Sequence, residues 1–371
     1  MTQSSTQPPS KDSMTLLSRL LLAPQVCDDS STLSGAEPEP EIRNISWEAF
    51  HDLLTLASSN HVVVRSLEVF LRMTREGKDD TRAEWAQNAL SSERSRITLA
   101  LRFLKDICAA FESEGHDVVV IKSLDHWPDF GSDLDLYTDS QSEDVSELMS
   151  RCFDAQIAWR SWGERLACKW NFVVPGLPEA VEIHVGRLGQ TGEQVEVASH
   201  LLERTRPALI DDYAFRVLSV SDRLTISTLQ RMYRHFYFRL CDIVDTAELS
   251  ETDGIDYDDL RSSASAAGIW QGVATYLVIV SDYVRNYRGS GIDLPHFVID
   301  SARFGGDEVH YGRSFLRVPI MPESIRLYGS QIAGLLRKRQ LQNCARLSLL
   351  PWLATAAVVG QGITGSDKGI W

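Results

Sequence analysis

Asp133 and Asp135, carried on Gly131-Ser132-Asp133-Leu134-Asp135-Leu136-Tyr137, are the side chains best placed by type and spacing to do chemistry. An extended strand sends alternate side chains to opposite faces, so the aspartates share one face while Leu134 and Leu136 point the other way, toward a core. Two carboxylates on one face repel each other and raise each other's pKa unless a divalent cation or a basic partner offsets the repulsion. Mg²⁺ suits such a pair, because it prefers oxygen ligands and is usually held by one or two carboxylates together with substrate phosphates. An isolated Asp-x-Asp says little, and Asp256-Tyr257-Asp258 is another in the same chain. The context says more. Val118-Val119-Val120-Ile121 reads as a buried strand, and it ends in Lys122-Ser123, a cation and a hydroxyl suited to phosphate.

A hairpin is predicted downstream, where strand-like runs at 168–174 and 180–185 flank Pro175-Gly176-Leu177-Pro178. In the second run Val181, Ile183 and Val185 share one face, which leaves Glu182 and His184 on the other, expected to be the wet or functional side. That acid faces either a site or ordinary solvent on a half-exposed strand.

Ser132-Asp133-Leu134-Asp135-Leu136 resembles the signature of the DNA polymerase β-like nucleotidyltransferase superfamily: a strand ending in Gly-Gly or Gly-Ser, then [Ser/Thr]-Asp-x-Asp on the next strand, and a third carboxylate on a later one. Residues 119–135 are more closely similar to a group of uncharacterised bacterial nucleotidyltransferases that carry Leu-Lys-Gly before a Gly-Asp-x-Asp strand. Ser123 stands where that group has glycine, a residue that lets the backbone approach phosphates closely. The resemblance implies that Asp133, Asp135 and Glu182 are catalytic and bind Mg²⁺ or Mn²⁺, with Glu182 as third ligand or general base. It also implies that Lys122, Ser123 and Ser132 contact the nucleotide phosphates. The reaction so implied moves a nucleoside monophosphate from an NTP, ATP favoured, to an undefined acceptor, with release of pyrophosphate. A catalytically weak module of the same fold, binding a nucleotide or a partner, is the alternative that the Ser123 departure supports.

These residues need elements to position them. Residues 1–44, rich in Ser, Thr, Pro and acids, read as a flexible arm, with the apolar patch at Leu16–Leu22 docking at most as a helical turn. Residues 45–115 read as N-terminal helices: helical spacing runs from Trp47, with Ser46 as cap, to about Thr74, and a second helix from about Arg82 to Glu114 stops at Gly115. Residues 116–195 form the expected catalytic core, with a capped helix from Ser142 to about Phe153. Residues 196–371 read as mainly helical. Ser221-Asp222 opens a long helical segment to about Leu249, whose spacing brings Arg231, Arg234, His235 and Arg239 toward one face. Arg239 is the candidate nucleotide contact there, supported by a family-like pattern of Arg239-Leu240 followed by Asp245; pairing of Arg239 with Asp242 or Asp245 is the alternative. The fold class is thus α+β, a small mixed-sheet nucleotidyltransferase-like domain between helical flanks.

Composition narrows the partners. At 371 residues and a formal charge of −14, the chain has no large basic footprint for duplex nucleic acid, whose binding rests on neutralising phosphates. A local basic pocket for one nucleotide is compatible with that balance, and the acceptor is a small molecule, peptide or protein. The six cysteines include no Cys-x-x-Cys pair, so neither a zinc ribbon nor a disulfide framework is indicated, and a cytoplasmic setting is expected. The apolar run at 347–359 is short for a bilayer and interrupted by Pro351; packing on the second domain is favoured over membrane contact.

Overall fold

The computed structural model describes residues 11–23, 40–252, 254–312, 314–319, 323, 325–349 and 352. Leu16, Leu17 and Leu20 recur at helical spacing, and they bury one side of helix α1 (Lys11–Leu22). This is more than the single docked turn expected in a loose arm. Helix α1 packs on α2 (Trp47–Ser59) and α3 (Val63–Glu76), and Ser18 Oγ lies 2.7 Å from the hydroxyl of Tyr283 in a distant helix. Residues 24–39 of the arm lie outside the described residues.

Ser46 caps α2 as expected, its hydroxyl accepting the Ala49 N–H at 3.2 Å. The helical stretch from 47 to 74 is nevertheless two helices. Buried Asn60 diverts the chain: its amide donates to Leu56 O at 2.9 Å and Ser314 O at 3.1 Å, and its Oδ1 accepts the Leu240 N–H at 3.0 Å. His61 then takes a left-handed φ of 53°. The new N-terminus of α3 is capped from afar by Asp129, which accepts the N–H groups of Val64 and Arg65 at 2.6 and 3.3 Å. Helix α4 (Asp80–Ser113), capped by Asp79, ends just before Gly115 at φ 77°.

The sheet has seven strands: β1 (Val119–Val120), β2 (Asp133–Thr138), β3 (Gln156–Ile157), β4 (Lys169–Val173), β5 (Ala180–Val185), β6 (Thr205–Ile210) and β7 (Tyr213–Leu218). Their spatial order is β3-β4-β5-β2-β1-β7-β6. Strands β2 and β5 run parallel, as do β1 and β7; the other pairs are antiparallel, so the sheet is mixed. The first strand is shorter than its apolar run. Lys122 turns left-handed at φ 71° and bends the chain away, although the Ile121 N–H still reaches Asp135 O at 2.9 Å. Helix α5 (Ser142–Phe153) follows β2 as expected. The hairpin β6–β7 carries the sheet past residue 195, where a mainly helical region was expected to begin.

The segment 221–249 is broken. Helix α6 (Val220–Gln230) runs into a π turn at Arg231–His235, Phe236 turns left-handed at φ 53°, Tyr237–Phe238 form a short strand against Phe315–Arg317, and α7 (Leu240–Glu251) starts afresh. Asp242 explains the fold-back, because its carboxylate accepts the Arg239 N–H at 2.7 Å and pairs with buried Arg231 at 2.7 Å. Arg231, Arg234, His235 and Arg239 therefore share no helical face. Beyond them lie α8 (Trp270–Arg288), α9 (Ile325–Arg337) and α10 (Leu341–Ser348). Most of the apolar run at 347–359 lies outside the described residues, among which no helix is long and apolar enough to cross a membrane.

The loop between β1 and β2 is fixed by a buried ionic network. Asp245 of α7 accepts from Arg65 at 2.8 Å and from His126 Nδ1 at 2.5 Å; Arg65 also pairs with Asp129 at 2.8 Å, and Arg223 of α6 lies 3.3 Å from Asp125 and 3.5 Å from Asp245. Removing one partner from such a network leaves uncompensated charge in the interior. Asp245→Ala is expected to cost about 3–5 kcal/mol of unfolding free energy in urea titrations. A loss of only about 1 kcal/mol or less, as for an exposed pair, would show that the network does not hold the loop.

Candidate active site

The register of β2 and β5 sets Asp135 directly beside Glu182 and Tyr137 beside His184. On the far face Leu134, Leu136, Val181 and Ile183 are fully buried, which locks that register, since a one-residue slip would turn them all to the polar side. Asp133 lies two residues before Asp135 on the same face. The alternation read from the sequence is correct, but the expectation of a wet face is not. Glu182 and His184 are buried, and α6, the π turn and α9 lie across His184 on this side of the sheet.

Burying acids requires cations. The Lys122 ammonium forms an ion pair with Asp135 and reaches Glu182 at 3.5 Å, while Lys169 Nζ lies 2.5 Å from the other oxygen of Glu182. His184 Nε2 is 2.8 Å from Glu182 Oε1. Burial works against ionisation of Glu182, but Lys122, the His184 hydrogen bond and Lys169 outweigh it and hold the carboxyl well below its ordinary range. Asp135 fares differently. Burial, with the charge of Glu182, pushes it up to about 7 despite Lys122. Burial, seconded by Glu182, also raises Asp133. The cluster thus holds one firmly ionised acid and two whose charge is incompletely compensated.

Burial lowers His184 to about 4, so the ring is neutral near pH 7. A neutral imidazole facing a carboxylate through Nε2 carries its proton there. Nδ1 is then a bare lone pair, and it is buried with no hydrogen-bond partner among the described residues.

Ser123 performs a structural task that glycine cannot. Its hydroxyl accepts the Asp135 N–H at 2.6 Å and donates to Asp133 O at 3.2 Å, so it clasps the strand that bears both aspartates. The left-handed residue is its neighbour Lys122, where a side chain costs about 1–2 kcal/mol relative to glycine. The Ser132 hydroxyl lies 3.2 Å from Asp133 Oδ2.

Beside the cluster lies a pocket of about 610 Å³, its open mouth included. Lys122 and His184 form its floor, with Arg234, Tyr233 and Gln230 on one wall and Tyr328 and Gln331 on another. Gln331 is buried and its Nε2 has no partner among the described residues, so it offers a donor to whatever enters.

Asp133, Asp135, Glu182, Lys122 and Ser123 therefore come together, whereas Ser132 opens onto a different pocket, shared with His61, Asp129 and Gly131. Arg239 does not join them: its guanidinium lies 3.4 Å from His61 Nδ1 at the start of α7, and Arg234 is the arginine that lines the pocket. Sequence reasoning missed Lys169, although strand alternation puts it with Asn171 on the face that pairs with Glu182 and His184. Gln331 comes from a helix about 150 residues away in sequence, where no motif marks it. One ligand atom from each of Asp135, Glu182 and His184 lies within 4.8 Å of the others, so the cluster has the donors and spacing to hold a metal ion. Compared with known proteins, the chain matches no family model and no curated protein.

Ser123→Ala is expected to cost about 1–3 kcal/mol, because it leaves a buried backbone N–H unsatisfied, and to speed amide exchange at Asp135. Unchanged exchange there would show that the hydroxyl does not hold the strand.

Proposed function

We propose that the chain is a metal-dependent nucleotidyltransferase that moves a nucleoside monophosphate from an NTP, ATP favoured, to an acceptor hydroxyl. The observation that carries this reading is the side-by-side placement of Asp135 and Glu182 on parallel strands, with Asp133 on the same face. The donor set fits a hard divalent ion. Asp135 and Glu182 would supply oxygen ligands, with Asp133 on the same face outside that close group, and the incomplete compensation of Asp135 is what a cation would relieve. Mg²⁺ or Mn²⁺ bound there supplies charge neutralisation at the phosphate oxygens and alignment of the entering and leaving groups.

The acceptor oxygen forms its bond to the α-phosphorus, the bond from that phosphorus to the bridging oxygen breaks, pyrophosphate leaves with the electron pair, and the hydroxyl's proton passes to water. The chain's own residues then have separate tasks. Lys122, released from Asp135, meets phosphate oxygens, and Arg234 adds a second positive charge from the pocket wall. His184, donating to Glu182, fixes the orientation of that carboxylate, as outer partners of metal ligands do.

A second reading rests on Lys122. Its ammonium already bridges both acids, which suits a module that binds nucleotide without metal and without turnover.

Calorimetric titration with each NTP, with and without Mg²⁺ or Mn²⁺, separates the two. Metal-dependent binding that Asp135→Asn and Glu182→Gln each abolish, together with release of labelled pyrophosphate when acceptor is supplied, is the expected result. Metal-indifferent binding selects the module instead. A folded chain that binds no nucleotide under any condition defeats both readings.

A further inference from the structure

A second group of donors lies away from the carboxylates, at the point where three parts of the chain meet. His61 comes from the joint between α2 and α3, His126 from the loop between β1 and β2, and Cys241 from the first turn of α7. One ligand atom from each lies within 4.8 Å of the other two. We propose that His61, His126 and Cys241 bind a zinc ion that ties the N-terminal helices, the β1–β2 loop and the C-terminal helices together.

The chemistry selects the metal. A thiolate with two imidazoles is a soft, nitrogen-rich set that suits Zn²⁺ and is foreign to Mg²⁺ or Ca²⁺. The arrangement of His126 is that of a ligand. Asp245 Oδ2 lies 2.5 Å from Nδ1, which directs Nε2 toward Cys241 Sγ at 3.7 Å. A carboxylate on the outer nitrogen is the usual partner of a metal-bound histidine, fixing its tautomer and raising its basicity. The rings of His61 and His126 meet edge to face with centroids 5.6 Å apart. Arg239 is only 3.4 Å from His61 Nδ1, at the long end of a hydrogen bond, so the ring gives up little in taking a metal instead.

The chain Cys241–His126–Asp245 also has the connectivity of a nucleophile, its base and an orienting acid. Burial rules that role out. Cys241 has no exposed surface, and nothing larger than an ion captured during folding reaches its sulfur. A histidine–cysteine hydrogen bond alone would account for two of the three donors but not for His61, whose left-handed backbone brings a third imidazole to the same point. His61 also lines a separate surface pocket with Asp129, Gly131 and Ser132, through which water would reach a bound ion and complete a tetrahedral set.

The test uses the full chain, with zinc content by elemental analysis and Co²⁺ titration of the chelated protein. One zinc per chain and a sulfur-to-cobalt charge-transfer band are expected. Cys241→Ser removes the band, and His61→Gln weakens uptake by about 10–100-fold or more, the loss that even an outer partner of a ligand brings. Circular dichroism establishes that each variant is folded. Because zinc binds only the folded state at this site, a chelator lowers the Tm of the wild type and leaves that of Cys241→Ser unchanged. Asp135→Asn retains full zinc uptake, which keeps this site distinct from the carboxylate cluster. The proposal is overturned if the folded wild type takes up no zinc or cobalt. It is equally overturned if folded Cys241→Ser and His61→Gln bind as the wild type does, or if uptake follows Asp135 rather than Cys241.

Discussion

Asp135 and Glu182 lie one strand apart in a water-poor interior, and most of what surrounds them follows from that repulsion. Each buried acid needs a cation or a hydrogen-bond donor, because an uncompensated charge there costs several kcal/mol. Lys169 and His184 answer for Glu182. Lys122 answers for Asp135, and to bring its ammonium between the acids its backbone takes a left-handed turn. That turn ends β1 after two paired residues and delivers Ser123 to the N–H of Asp135. A strained residue, a short strand and a buried hydroxyl are therefore one solution to one electrostatic demand.

The helices outside the sheet take part in that solution. The loop that leaves Lys122 and Ser123 runs through Asp125, His126 and Asp129 before β2 begins, and every one of these is gripped by a charged residue from a helix: Arg223 of α6, Asp245 of α7 and Arg65 of α3. Asp129 repays the contact by capping α3. The position of the aspartates on β2 thus depends on side chains that lie 64 residues before the loop and up to 119 residues after it in the sequence. The described helices before and after the sheet and the site itself are mechanically coupled through charge, and a substitution in one is felt in the others.

Strand alternation made much of the site legible. It placed Asp133 and Asp135 on one face, Glu182 and His184 together, and the apolar residues of β2 and β5 opposite them, because the period of two is a local property of the backbone. Helix α5 and the caps at Ser46 and Gly115 were legible for the same reason. What local pattern cannot report is what lies across a face. The cover over His184 comes from α6, the π turn and α9, and the break at Asn60 depends on Leu240 and Ser314. The helical spacing from 231 to 239 was real as a pattern, yet Asp242 bonds the Arg239 N–H and pairs with Arg231, so a tertiary ion pair overrode it. Arg239 accordingly went to His61, and Arg234 took the place by the pocket.

A lysine and a divalent ion can satisfy the same pair of acids, and the difference between them bears on the proposed reaction. An ammonium on a flexible stem neutralises one charge and can change partner, whereas a bound ion neutralises two and stays. With Lys122 between Asp135 and Glu182, the cluster is stable before any substrate arrives, at the cost of leaving Asp135 only partly compensated. A nucleotide that enters with its own cation supplies the missing charge and, at the same time, offers phosphate oxygens as a new partner for the ammonium. The resting ion pair then serves as a placeholder whose exchange requires cation and polyanion together, so neither alone gains the full benefit of the site. This is the physical reason for expecting metal and nucleotide to bind cooperatively, and under the proposed reaction it makes Lys122, more than Ser123 beside it, the residue on which turnover would depend.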